Sequence, residues 1–301
     1  MHRFSVVSAI AIGLFAGMFS GELAAQTLLR WQLAEGDSLA LSVRQETQSV
    51  VVFSGKETKT TIDLTMELGW QVTAASEDIL TVKQKVKRIV LKLNSPAAGA
   101  IEFDSQAQAN LIGPARTVAA TVSPLVGAEI EITLDRRGQV TGVKPLGEAA
   151  EKLLAGGKDD EGAGSAQAIQ QLLRQPLAIL PEKPVAIGDS WTTTSDLAAA
   201  VGKFQQEIVS TLAGEVEEGG QKLLKIDQKW TLTPADPAAK PKLTLKSHQQ
   251  TGTLLFAAAA GRLASAEQTQ KLVTERPYRE TTIVVTLSST QQTTVKAVPK
   301  P

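Results

Sequence analysis

Residue types able to do covalent or metal chemistry are few in this chain, and their spacing argues against catalysis. Two histidines occur, His2 and His248, and there is no cysteine. A Ser-His-Asp triad would have to recruit His248, yet no Gly-x-Ser-x-Gly turn presents a nucleophile to it. His248 stands in Lys246-Ser247-His248-Gln249-Gln250, where alternation predicts an exposed histidine on the polar face of a strand. Metal sites built from several imidazoles or thiolates are excluded by count, so neither a metal nor a cofactor is expected. Carboxylates are plentiful, but most fall in turns or on alternating polar faces rather than as a facing pair for glycoside hydrolysis. Asp159-Asp160-Glu161 lacks the alternating ligand spacing of a calcium loop and is expected to be a solvated linker. Gly162-Ala163-Gly164 has the first two glycines of a phosphate-binding turn, but it follows an acidic loop and Gln167 occupies the place of the third. The expectation is a protein that is not an enzyme, with no catalytic residues to assign.

The aromatic residues offer binding rather than bond-making. Trp70 and Trp230 each continue the apolar face of a long alternating segment, and Leu172 and Leu173 belong to a segment of helical spacing. These four are the candidates for lining a ligand cavity, with core packing as the alternative for both tryptophans. Trp31 and Trp191 stand near two Gly-Asp-Ser turns and are expected to pack as equivalent plugs. The aromatics are too scattered for a stacking surface of the kind that binds single-stranded nucleic acid. A formal net charge of zero gives no electrostatic reason to expect nucleic acid or an anionic membrane as partner.

The elements that would position these residues are mainly strands. Ile62, Leu64, Met66, Leu68, Trp70 and Val72 alternate with Thr61, Asp63, Thr65, Glu67 and Gln71, which predicts a long half-buried strand. In the next strand Leu80, Val82 and Val86 lie on one parity and Ile89, Leu91 and Leu93 on the other, so a bulge is expected near Arg88. Ile130, Ile132 and Leu134 continue into a turn at Asp135-Arg136-Arg137-Gly138. The second half repeats the style, with a hairpin signal at Glu217-Glu218-Gly219-Gly220. Between the halves, Leu146 to Leu154 and Ser165 to Arg174 have helical spacing. Gly36-Asp37-Ser38 opens the first β section and Gly188-Asp189-Ser190 the second, which hints at a duplicated unit.

The N-terminus adds a location. Met1-His2-Arg3, an apolar run from Phe4 to Phe19, and Leu23-Ala24-Ala25 follow the order of a secretory signal peptide. The run is shorter than the ~20 residues that span a bilayer. Residues 1–25 are therefore expected to be removed, residues 26–145 to form an N-terminal β section, and 146–181 a helical connector. Residues 182–295 are expected to form a C-terminal β section of the same domain, and 296–301 a loose tail. The mature protein would have no transmembrane anchor and would work in the periplasm or outside the cell.

Leu28-Leu29-Arg30-Trp31 ahead of Glu35-Gly36-Asp37, Leu180-Pro181-Glu182-Lys183-Pro184-Val185 ahead of Gly188-Asp189-Ser190-Trp191, and Thr251-Gly252-Thr253 to Phe256 followed by Gly261-Arg262-Leu263 carry a resemblance. Together they resemble an uncharacterised family of exported bacterial β-rich proteins. The resemblance implies a fold and an export route and brings no functional residues with it. The fold expected is mainly β (α+β), a large curved antiparallel sheet or half-barrel of about a dozen strands, duplicated in plan, with a short helical insertion on its concave face. Two functions fit such a chain. One is a non-catalytic extracytoplasmic binding protein for an apolar or lipid-like small molecule. The other is a structural module of the cell envelope that contacts an envelope protein through exposed strand edges such as Thr281 to Val295.

Overall fold

The computed structural model describes residues 26–107, 111–155, 178–199, 202–235 and 243–300. The first half of the chain forms β1 (Ser38–Phe53), β2 (Lys56–Ala75), β3 (Ile79–Ser95), β4 (Gly99–Asp104), β5 (Glu129–Asp135) and β6 (Val140–Leu146). The second half forms β7 (Ser190–Ala199), β8 (Gly202–Glu218), β9 (Gln221–Pro234), β10 (Thr244–Ala257), β11 (Arg262–Tyr278) and β12 (Thr281–Val298). Two short helices, α1 (Gly113–Val122) and α2 (Glu148–Ala155), interrupt the first half and follow it.

All twelve strands belong to one curved antiparallel sheet that does not close, in the order β6-β5-β3-β2-β1-β12-β11-β10-β9-β8-β7, with β4 beside β3. Each half of the chain is a meander. The two join at the centre of the sheet, where β1 and β12 pair without interruption from Ser38↔Val298 to Phe53↔Ile283. This corrects one expectation. Thr281 to Val295 is no exposed edge, because β12 is also paired with β11 from Tyr278↔Thr281 to Ser265↔Thr294. The first strand of one meander beside the last strand of the other satisfies both rows of backbone groups on β1 and β12 and leaves β6 and β7 as the outer strands.

The pattern of alternation reappears as the concave face. On β2, Met66, Leu68, Trp70 and Val72 are buried, and their partners on β3 are Ile89, Val86, Gln84 and Val82. The parity change in β3 is a bulge: the register steps from Glu67↔Arg88 to Leu68↔Val86, and Lys87 is the extra residue. Without it Ile89, Leu91 and Leu93 would turn to the convex face.

The hint of duplication has a geometric counterpart. In the first turn Asp37 Oδ2 accepts from the Ala34 N–H, the Asp37 N–H donates back to Ala34 O, Gly36 N–H donates to Val72 O, and Val72 N–H to Asp37 O. In the second, Asp189, Ala186, Gly188 and Leu212 make the same four bonds. Gly36 and Gly188 hold φ values of +83° and +96°, a left-handed conformation that favours glycine.

One end of the curved sheet is dry. Residues 26–37 and 178–189 cross it side by side, joined by the Thr27↔Val185 bridge. The Trp31 indole lies 6.1 Å from Trp70 and 6.2 Å from Phe256 between ring centroids, and its N–H donates to Ala178 O. The Trp191 N–H donates to the next carbonyl, Ile179 O, so both tryptophans anchor the same segment. Each large apolar side chain removed from water in this way contributes on the order of 2 kcal/mol. Arg136, at the β5–β6 turn, ties the end together by donating to the Trp31, Leu33 and Ser76 carbonyls. α2 packs against β5 and β6 with Ala150 fully buried, and α1, which sequence periodicity did not reveal, packs against β4. The second expected helix, at 165–174, lies outside the described residues, as do the expected signal peptide and residues 159–164.

Candidate functional site

Beyond the dry end the concave face opens into a cavity of about 1430 Å³ that spans the trough from β2, β3 and β4 to β9 and β10. Strand pairing orders its inward residues in rows. One runs Ile62–Thr47–Ser289–Gln270–Gln250–Trp230 across β2, β1, β12, β11, β10 and β9. Leu93 and Ile101, paired with each other on β3 and β4, extend the apolar wall beside Ile62. Trp230, Leu232 and Leu245 form the opposite wall, and Thr47, Ser289, Gln270, Gln250 and His248 lie between.

The floor is a hydrogen-bonded array of uncharged groups. Gln250 Nε2 donates to Gln268 Oε1 at 3.3 Å, and Gln270 Nε2 donates to Gln250 Oε1 at 3.4 Å. His248 Nε2 lies 3.3 Å from Gln250 Oε1 and 3.2 Å from Gln270 Nε2. One tautomer donates to the first and the other accepts from the second, so the ring fits the array either way. Partial burial holds the imidazole below its ordinary pKa, opposed by the Gln250 hydrogen bond, and so favours its neutral form. The expected exposed strand histidine is therefore half-buried in the trough; the bulge at Lys246 resets the parity of β10 just before it.

Just below the cavity a belt of amides separates it from the dry end. Gln45 pairs with Gln291, Gln291 with Gln268, Gln268 with Gly252, and Gly252 with Gln228. Gln228 Nε2 donates to Ser210 Oγ at 3.0 Å. Gly252 leaves room in this belt for the Trp230 ring: a Cβ there would sit 3.0 Å from the indole edge. Trp230 thus lies across its neighbour strand, in the wall and over the belt.

Seven charged residues of the same strands also border the cavity, but at positions that alternate with the inward ones. Glu46, Asp63, Lys92, Glu102, Lys229 and Lys271 have the opposite parity, so the pleat directs their side chains toward the convex face, and Lys246, the bulge residue of β10, turns the same way to reach Glu275. There Arg44 pairs with Asp63, Lys92 with Glu102 and Lys246 with Glu275.

Of the four cavity candidates from sequence, Trp230 stands in the cavity wall. Trp70 is packed in the dry end, 2% exposed, where its N–H donates to Gln84. Leu172 and Leu173 lie outside the described residues. The floor residues Thr47, His248, Gln250, Gln270 and Ser289 were not singled out as ligand contacts. Their signal was present: along β11 the inward parity of Ala266 is continued by Gln268 and Gln270, and along β10 that of Leu254 by Gln250 and His248. Among the described residues no group of three or more His, Asp or Glu could hold a metal ion, and no helix is long and apolar enough to cross a membrane.

Fold and cavity together define a class: an open antiparallel β trough, sealed at one end by two chain segments and hollow beyond. The chain resembles an uncharacterised family, matching over residues 77–220 the model described as Family of unknown function (DUF6263). Of the motifs that suggested such a family, Leu180 to Trp191 lies within the matched residues and the other two lie outside them. No curated protein matches the chain. Among solved structures, an outer membrane channel from Pseudomonas putida F1 aligns at 10% identity and a TM-score of 0.33, covering 92% of this chain and 98% of that one. DynF from the dynemicin biosynthesis pathway of Micromonospora chersina aligns at 8% identity and 0.20, covering 89% and 86%. A DUF1329 family protein from Desulfovibrio piger aligns at 10% identity and 0.16, covering 87% and 84%. At these TM-scores none of the likenesses carries an argument about function.

Proposed function

We propose that this protein is a non-catalytic extracytoplasmic binding protein whose trough holds a lipid-like, amphipathic small molecule. The observation that carries the proposal is the cavity itself. A volume of about 1430 Å³, walled by Ile62, Leu93 and Ile101 on one side and Trp230, Leu232 and Leu245 on the other, suits a molecule with a substantial apolar part. Hydrogen-bonding groups confined to the floor give such a molecule one polar end to place. Export rests on the signal-peptide order of residues 1–25. The absence of a catalytic role rests on the residue types: the floor offers amides, hydroxyls and one neutral imidazole, with no nucleophile–base–orienter set among the described residues.

Native mass spectrometry of the full chain purified from its own host tests the proposal. The expected spectrum contains, besides the free protein, a species heavier by one small molecule, which organic extraction removes and tandem fragmentation characterises. A single species at the mass of the processed polypeptide, from protein never exposed to detergent, would overturn it.

A further inference from the structure

We propose that the trough is selective for an amphiphile with an uncharged, hydroxyl- or amide-bearing head group, and discriminates against carboxylate and phosphate heads. This inference rests on the proposal that the cavity holds a lipid-like ligand and adds the class of head group. Its basis is the division of charge across the sheet. Thr47, Ser289, Gln250 and Gln270 each offer both a donor and an acceptor, which is what a hydroxyl or amide head group needs on its partner. None of these floor side chains carries a formal charge. The charged residues that border the cavity, Lys229 and Lys271 included, stand at the alternate positions of their strands, and two of the lysines are held in ion pairs on the convex face, Lys92 with Glu102 and Lys246 with Glu275.

An ionised head group on the floor would shed water and meet side-chain carbonyl oxygens as readily as N–H groups, while the lysines that border the cavity stand at positions the pleat turns the other way. Removing a charge from water without a counter-charge is far costlier than removing a hydroxyl that regains its hydrogen bonds. The array also has slack for a neutral guest. The bonds among Gln250, Gln268 and Gln270 are 3.3 to 3.4 Å long, so a hydroxyl can replace one of them at little loss.

The test compares three probes of equal chain length on the full chain at pH 7.5: 1-monomyristoylglycerol, myristate and 1-myristoyl-lysophosphatidate, each by calorimetry below its aggregation threshold. The monoglyceride is expected to bind at least about tenfold tighter than either anion. Gln270→Lys, which places a cation on the floor, is expected to narrow or invert that ratio, and Gln270→Leu to weaken the monoglyceride while leaving the anions weak. A Trp230→Leu variant is expected to lower all three together, because the wall does not distinguish heads. Equal or tighter binding of either anion to the unmodified protein would overturn the inference and leave the carrier proposal standing. Binding of none of the three also overturns it. The carrier proposal is then decided separately by the ligand content of the host-purified protein.

Discussion

The pair Trp70–Gln84 is the sharpest place to test how the dry end is held. The two residues face each other across β2 and β3, and the Trp70 N–H donates to Gln84 Oε1 at 2.6 Å. Gln84 is 1% exposed, yet its Nε2 has no hydrogen-bond partner among the described residues. The amide is therefore half satisfied. Gln84→Met removes one good bond and orphans the indole N–H, a loss of about 1–3 kcal/mol. The same substitution removes an NH₂ group that is already buried without a partner, a gain of similar size. The two nearly cancel, and the net change is expected within about 1 kcal/mol. Trp70→Phe has no such offset. It leaves both ends of the Gln84 amide unpaired and vacates volume beside Trp31, for a loss of about 3–4 kcal/mol. The double variant removes both orphaned polar groups, so it is expected to be less destabilised than the sum of the singles by about 1–2 kcal/mol. Equilibrium urea unfolding followed by far-ultraviolet circular dichroism measures all four proteins on one scale. Additive single effects would refute the reasoning by showing that the Trp70–Gln84 bond contributes nothing, and a loss of about 3 kcal/mol or more for Gln84→Met alone would refute it by showing that the Gln84 amide is fully bonded in the native protein.

Three further outcomes are expected. Asp37→Ala and Asp189→Ala should each cost about 1 kcal/mol in chemical denaturation, since each carboxylate accepts one backbone N–H in the same turn, with Asp37 losing in addition its exposed pair with Lys300; a neutral result at either site would count against the equivalence of the turns. Gly138→Ala should lower stability by more than about 2 kcal/mol in a thermal melt, because φ is +89° there and the added Cβ would run into Ala178 O and the Trp31 indole N. The Arg88 guanidinium and the Gln106 N–H hold the Asp104 carboxyl down at about 2. A carboxyl whose pKa is lowered in the folded state stabilises the fold above its ordinary pKa and loses that contribution as pH falls through the folded value. Stability should therefore decline between pH about 4 and 2, and Asp104→Asn should make that decline shallower; an unchanged acid limb would contradict the ion pair.

The sheet was legible in the sequence to the extent that alternation reports on a half-buried surface. Ile62 to Val72 alternated cleanly because one face of β2 meets core and trough while the other meets water. The bulge near Arg88 was visible because a parity change has few other physical causes. Partnership was not legible. Nothing local says that Ser38–Phe53 pairs with Thr281–Val298, more than two hundred residues along the chain, so β12 was expected at an edge when it lies at the centre. The cavity floor escaped for a related reason. Gln250, Gln268, Gln270 and His248 are polar at positions that follow apolar ones of the same parity. Polarity alone points such residues to the outer surface, as it did His248; the continuous register of β9 to β12 shows that they face inward. α1 was missed because Gly113-Pro114-Ala115-Arg116-Thr117 opens with two residues more typical of a turn, although proline suits the first turn of a helix.

The two halves of the sheet agree at their opening turns and differ in the trough, and that difference keeps the cavity open. In the first half β2 and β3 present apolar residues to the trough almost without break, from Met66 through Leu64 and Ile62 and from Ile89 to Leu93, while β1 adds Gln45 and Thr47. A second half patterned the same way would close on the first, since nothing would oppose burying the remaining apolar surface. Instead β10, β11 and β12 place Gln250, Gln268, Gln270 and Gln291 there. Collapse of the trough would bury these amides against Leu and Ile side chains that cannot bond them, at about 1–3 kcal/mol for each group left unpaired. That exceeds what the opposing apolar wall would gain from the contact, roughly 2 kcal/mol for each side chain newly removed from water, once several amides must lose partners together. The mismatch between the two faces of the trough favours the open state, and the amphipathic ligand proposed above would satisfy both faces.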